Sequence, residues 1–224
     1  MNGSINITGL KEIYNDYDTF ILDQWGVMHD GIKGYLKAIQ CIEKIFQKNK
    51  NLIIISNSSK RKEYTLQKLP ALGFNPHYFQ EVMTSGEMIW QSLFNENYNE
   101  TKNLGKNCYH IYNKLKDEGS NFFEGLEKFK IVKSVEKSDF ILGCTPFLDT
   151  EVLDYISILD TALKYNIPFI CANPDFEIMN SSISDKNIFC IGTIAELYKN
   201  MGGEVFLLGK PNIDIYTEST KNIY

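Results

Sequence analysis

The stretch "TFILDQWGVMHDG", Thr19 to Gly31, decides how the chain is read. Its first four residues have the apolar and β-branched character of a strand, and the run ends on a carboxylate, Asp23. In sheets built from β-α-β units, a polar residue just past the carboxyl end of a strand faces the crevice where ligands bind. Trp25 and Gly26 follow at once, and Gly31 closes the segment. Taken alone, Asp23 would serve equally well as a loop residue or a helix cap. Its meaning depends on what other strand ends bring beside it.

Further apolar runs of strand length recur: "NLIIIS" (51–56), "CYHIY" (108–112), "DFILG" (139–143), "PFICA" (168–172), "NIFCI" (187–191) and "EVFLLG" (204–209). Helical patterns lie between several of them. "GYLKAIQCIEKIFQKNK" spaces Leu36, Ile39, Ile42 and Ile45 three residues apart, and "TEVLDYISILDTALKYN" places Val152, Tyr155, Ile158 and Leu159 on one helical face. Strands alternating with helices predict an α/β fold with parallel sheet. The Asn/Lys-rich patch "NENYNETKNLGKN" (95–107) reads as a solvated helix end and loop, at an insertion or a domain edge.

Composition narrows the classes of function. An apolar fraction of 43% over 224 residues is ample for a packed core. A formal charge of −5 argues against reliance on phosphate-backbone attraction, and the short basic run "KRK" (60–62) does not reverse it, so no nucleic acid partner is expected. No apolar run approaches membrane-spanning length and the first residues lack a signal-peptide pattern, so the expectation is a cytoplasmic protein with no membrane partner. The five cysteines form no C-x-x-C pair, which fits reduced thiols. His29, His77 and His110 lack metal-ligand spacing.

Polar groups close three of the strand runs: Asp23, Ser56 in "ISNSSKR", and Lys210 in "LLGKP". If the carboxyl ends of their strands share one edge, the three meet despite their separation along the chain. A carboxylate, a hydroxyl and an ammonium together suit phosphoryl transfer. The carboxylate attacks phosphorus, the hydroxyl donates to a phosphoryl oxygen, and the ammonium offsets the gathered negative charge. Plainer roles exist for each. Ser56 and Ser58 could cap a helix starting near Lys60, Lys210 could sit in a solvated turn, and Asn173 with Asp175 in "CANPD" could simply make a turn.

The order D-x-x-G-V-x-x-D-G, "ISNSS", "GKP" resembles the haloacid dehalogenase superfamily, specifically its class IIA hydrolases. "TSGEMIW" (84–90), "ILGCTPFLDTEVL" (141–153), "ICANPD" (170–175) and "GGEVFLLGKPNIDIY" (202–216) extend the resemblance over nearly the whole chain. It implies a Rossmann-like core with a parallel sheet, formed by 1–86 and 204–224, and an inserted α/β cap over 87–203. It implies Asp23 and Lys210 as catalytic residues. Ser56, Asn57, Gly26, Asn173 and Asp175 are the expected substrate-binding residues. Mg²⁺ is the implied cofactor, on the Asp23 carboxylate and the Trp25 backbone carbonyl. The implied partner is a small phosphorylated metabolite such as a sugar phosphate or nucleotide, and a homodimer is compatible with the chain.

Two departures from the family pattern matter. Phosphatases of this superfamily normally carry a second Asp two residues after the nucleophile, as the acid for the leaving alkoxide; here that position is Trp25. An indole N–H only donates a hydrogen bond and has no proton to transfer near neutral pH. A subgroup of the class is written D-x-W-G-V-x-H-D-G, which Trp25 matches, and His29 and Asp30 are the nearby groups that could stand in as acid. The second departure is a fourth motif, G-D-x-x-x-x-D, which follows the lysine motif in family members and completes the metal site. The given sequence ends at Tyr224, so the expectation is an incomplete core and metal site. An alternative reading is therefore a catalytically impaired or purely binding relative.

Overall fold

Two parallel sheets organise the chain in the computed structural model, which describes residues 6–96, 99–115, 121–177, 189–221 and 223. The first has three strands in the order β1 (Thr19–Leu22), β2 (Asn51–Ser56), β3 (Glu81–Thr84). The second has five, in the order β5 (Lys130–Val132), β4 (Asn107–Ile111), β6 (Phe140–Gly143), β7 (Phe169–Cys171), β8 (Val205–Leu207). Every paired ladder is parallel, as expected of strands joined by helical crossovers. The helices are α1 (Leu36–Gln47), α2 (Lys62–Lys68), α3 (Ser85–Asn95), the single turn α4 (Asn99–Lys102), α5 (Ile156–Lys164), α6 (Ile191–Asn200) and α7 (Ile213–Thr220).

The continuous apolar run of β2 is explained by burial on both of its faces. Leu52 and Ile54 pack with Phe20, Ile42 and Ile45 beneath α1, whereas Ile53 and Ile55 point the other way. They join Met88, Ile89 and Leu93 of α3 and also Phe140, Leu142 and Ile170 of the second sheet. One apolar layer is thus shared by the two sheets. The far face of the second sheet, with Ile141 and Phe169, is covered by Leu159 of α5 and by Ile191, Ile194 and Tyr198 of α6.

Several elements differ from expectation. "NIFCI" yields no strand at its described end: Phe189 makes a single bridge with Glu177, and Ile191 opens α6. Residues 187 and 188 of that run lie outside the described residues. Strands β3 and β5 were not expected from the sequence. β8 pairs with β7 and so extends the second sheet, although 204–224 is expected to group with the first. The remainder of that segment does return: α7 packs on β2 and β3, and its Ile215 is fully buried in the shared layer.

Candidate active site

The site forms where the chain crosses back from the second sheet to the first. Leu22 pairs with Ile54, so Asp23 and Ser56 leave neighbouring strands at the same carboxyl edge. Lys210 lies just beyond β8. Its ammonium nitrogen is 2.5 Å from Asp23 Oδ1, closing a contact between residues 187 positions apart. The Lys210 side chain is 22% exposed and that of Asp23 43%, so the pair is reachable from solvent.

Asn57 holds the crossing in place. Its Nδ2 donates to Asp175 Oδ1 at 2.8 Å and to the Lys210 carbonyl at 3.2 Å, while its Oδ1 accepts the Lys210 backbone N–H at 2.7 Å. Ser85 Oγ, at the start of α3, donates to the same Oδ1 at 3.3 Å. Gly209 is required here because a Cβ on it would lie 2.2 Å from Ser85 Oγ and 2.7 Å from Asn57 Oδ1. Asn173 Oδ1 accepts from the Asp175 amide at 3.0 Å, so these two residues do make a turn, and Asp175 also reaches out of it to Asn57.

Ser56 is buried, and its Oγ accepts from the Ser58 amide at 3.3 Å. Ser58 Oγ in turn accepts from the Lys60 amide at 3.3 Å. Neither serine caps α2, whose N-cap is Arg61. The first amide of that helix instead meets Glu87 Oε2 at 3.4 Å, and the same oxygen binds Arg61 Nε at 2.6 Å. The buried Glu87 therefore stands in for a cap and ties α2 to α3.

Trp25 is half exposed and rests on a built support. Gly31, at φ +90°, leaves the room the indole occupies: a Cβ there would lie 2.2 Å from a ring carbon of Trp25. The His29 ring packs edge-on against the indole, centroids 5.3 Å apart. Gly26, also at positive φ (+75°), turns the chain between them and donates to the His29 carbonyl. Neither candidate replacement acid is placed for the role. His29 is buried, its Nδ1 accepts from the Gly31 amide at 3.0 Å and its Nε2 faces Gln24 Oε1 at 3.5 Å; burial also lowers its pKa. Asp30 Oδ1 accepts the Lys33 and Ile32 amides at 2.8 and 2.9 Å, and these bonds hold its pKa below the ordinary carboxylate value. It is thus an ionised acceptor rather than a proton donor.

Asp23 and the Trp25 carbonyl are hard oxygen donors, the chemistry magnesium prefers. Among the described residues no group of three or more His, Cys, Asp and Glu side chains gathers into a metal cluster. The donors present fit an ion that fills most of its shell with water and phosphoryl oxygens. A cleft of about 440 Å³ lies to one side, lined by Ser59, Lys60, Arg61, Tyr64, Trp90 and Phe122 among others, and not by Asp23 or Lys210. It begins three residues past Ser56, and sequence reasoning did not find it, because Trp90 and Phe122 meet it only through tertiary packing. Among the described residues no helix is long and apolar enough to cross a membrane.

Residues 20–131 match a family model described as haloacid dehalogenase-like hydrolase. The chain belongs to that superfamily, and its architecture is that of class IIA. Among solved structures it is similar to a haloacid dehalogenase-like hydrolase from Brucella suis 1330, with 24% identity and a TM-score of 0.82 over 98% of this chain and 78% of that one. NagD from E. coli K-12 shows 18% identity and a TM-score of 0.60 over 92% and 74% of the two chains. A 4-nitrophenylphosphatase from Thermotoga maritima shows 19% and 0.62 over 94% and 76%. The curated proteins provide no sequence match.

Proposed function

We propose that the protein is a phosphatase of small phosphomonoesters that works through an aspartyl phosphate on Asp23. The observation that carries this reading is the 2.5 Å contact of Asp23 Oδ1 with Lys210 Nζ at the strand edge that also bears Ser56. An Asp23 oxygen attacks phosphorus, the bond from phosphorus to the ester oxygen breaks, and that oxygen leaves with the electron pair. Lys210 offsets the charge gathered on carboxylate and phosphoryl oxygens, and Ser56 and the Gly26 turn border the phosphoryl group. Water then attacks the acyl phosphate, its proton passing to solvent, which releases inorganic phosphate and restores the carboxylate. Magnesium, held by Asp23 and the Trp25 carbonyl, would supply further neutralisation of phosphoryl charge. A glycerol phosphate phosphatase from Mycobacterium tuberculosis with a similar fold (16% identity, TM-score 0.65) was solved in complex with magnesium.

Trp25 sets the character of the substrate. His29 and Asp30 are committed to their own loop, so neither is placed to protonate a leaving alkoxide. Esters whose leaving oxygen needs no proton are therefore favoured. The test is a panel of aryl and alkyl phosphates assayed with and without Mg²⁺. Aryl esters should turn over at least about a hundredfold faster, and Trp25→Asp should narrow the gap. Equal rates on both classes would show that another group supplies the proton. The same feature favours a second reading, a relative that binds a phosphorylated metabolite without hydrolysing it; binding of phosphate esters with no turnover of any would establish it.

A further inference from the structure

We infer that Asn57 is the positioning residue that delivers Lys210 to Asp23, with Asp175 as its anchor, rather than a ligand of the substrate. A carboxamide has two N–H donors and two acceptor lone pairs. In Asn57 all of them are spent inside the protein, on Asp175 Oδ1, on the carbonyl and amide of Lys210, and on Ser85 Oγ. The orientation of the amide is fixed by chemistry, because only its oxygen can accept the Lys210 N–H and only its nitrogen can donate to the Lys210 carbonyl. Nothing is left over for a phosphoryl oxygen.

The lysine needs such a device. An ion pair as exposed as Asp23 and Lys210 is worth little by itself and does not order a long flexible side chain. The paired backbone bonds to Lys210 instead fix the point from which the side chain springs. They do so only because Gly209 permits close approach: a Cβ there would collide with Ser85, Asn57 and Pro174 together. The carboxylate of Asp175 is a stronger acceptor than a neutral oxygen, so it pins the free N–H of Asn57 firmly. The consequence reaches beyond one side chain. Asp175 follows β7 of the second sheet and Asn57 follows β2 of the first, so the placement of the lysine depends on how the two sheets meet.

The catalytic part of this inference rests on the phosphatase reading, but the latch does not, and the experiment separates them. The reactivity of Lys210 toward an amine-acylating reagent is followed by mass spectrometry in the full chain, in Asn57→Ala and in Asp23→Asn. In the parent the paired lysine should label slowly. Asn57→Ala should raise the rate at least about fivefold, and Asp23→Asn should do the same, since either change frees the ammonium. With an aryl phosphate, Asn57→Ala should lower kcat by about thirtyfold or more and leave KM within about threefold, because the side chain does not touch the substrate. The double variant Asn57→Asp/Asp175→Asn, which restores one donor–acceptor pair in reverse, should recover part of the loss relative to Asn57→Asp alone. Should Asn57→Ala fail to fold, Asn57→Asp keeps the shape and answers the labelling question. Unchanged Lys210 labelling in a folded Asn57 variant, or a raised KM with kcat intact, would overturn the inference. A parent that hydrolyses nothing but shows the labelling pattern would sink the phosphatase reading and leave the latch standing.

Discussion

Asp23 is the residue on which the proposed chemistry turns, and its replacement gives the sharpest expectation. Asp23→Asn keeps the shape of the side chain but removes the nucleophile, so turnover should vanish while circular dichroism and thermal unfolding stay close to the parent. Activity within about tenfold of the parent would take Asp23 out of that role. Lys210→Ala should cost at least about a hundredfold in kcat through lost charge stabilisation, which a steady-state assay on an aryl phosphate would read. At this scale much was legible beforehand. Asp23 and Lys210 each end an apolar run, and such positions announce themselves in sequence. The roles of Asn57 and Asp175 were not legible, because a residue that binds substrate and one that binds a neighbouring loop look alike until the partner is seen 2.8 Å away. The support of Trp25 was hidden for the same reason: Gly31 reads as a turn glycine, and only the packed structure shows an indole against it.

Among the elements, α3 begins with two effects opposed at one residue. Gly86 sits in its first turn, where alanine would favour the helix by up to about 1 kcal/mol. A Cβ there, however, would meet the Ser59 carbonyl oxygen at 2.0 Å, and that neighbour is backbone held by the loop after β2. The clash should win, since overpacking against an unyielding group costs about 1–3 kcal/mol. Gly86→Ala is therefore expected to destabilise, checked by the urea midpoint, and to disturb the Ser56–Ser59 loop as well. Elements with strong burial patterns were foreseeable, α1, β2 and β6 above all. The missed strands had little to show: β5 is a three-residue edge strand with no buried residue, and β3 is a four-residue run opening on a glutamate. "NIFCI" misled in the opposite direction, because a short apolar run does not distinguish a strand from the buried start of a helix, which Ile191 and Ile194 turned out to form.

For the whole molecule, the shared layer between the sheets makes stability sensitive to acid at one group. His110 lies on β4 with its ring stacked on Tyr112 at 4.3 Å and its Nε2 3.3 Å from Cys144 Sγ, and burial pushes its pKa down to about 3. An ordinary histidine takes up its proton near 6.5, so the unfolded chain gains a proton that the native protein refuses. Stability is thus fully present above about pH 6.5 and falls as the pH drops toward the native value, by on the order of 2 kcal/mol at about pH 5. Urea unfolding at both pH values should show a steeper acid loss in the parent than in His110→Phe, and equal losses would mean that the ring is protonated or exposed in the native state. A different consequence follows from the 187 positions that separate the two members of the Asp23–Lys210 pair. A ribosome adds about 5–20 residues per second, so Asp23 emerges roughly 10–40 s before its lysine is made. Through that interval the first three strands can already be paired while the carboxylate stands alone. The pair then closes only when the turn after β8 comes back to meet the loop after β2.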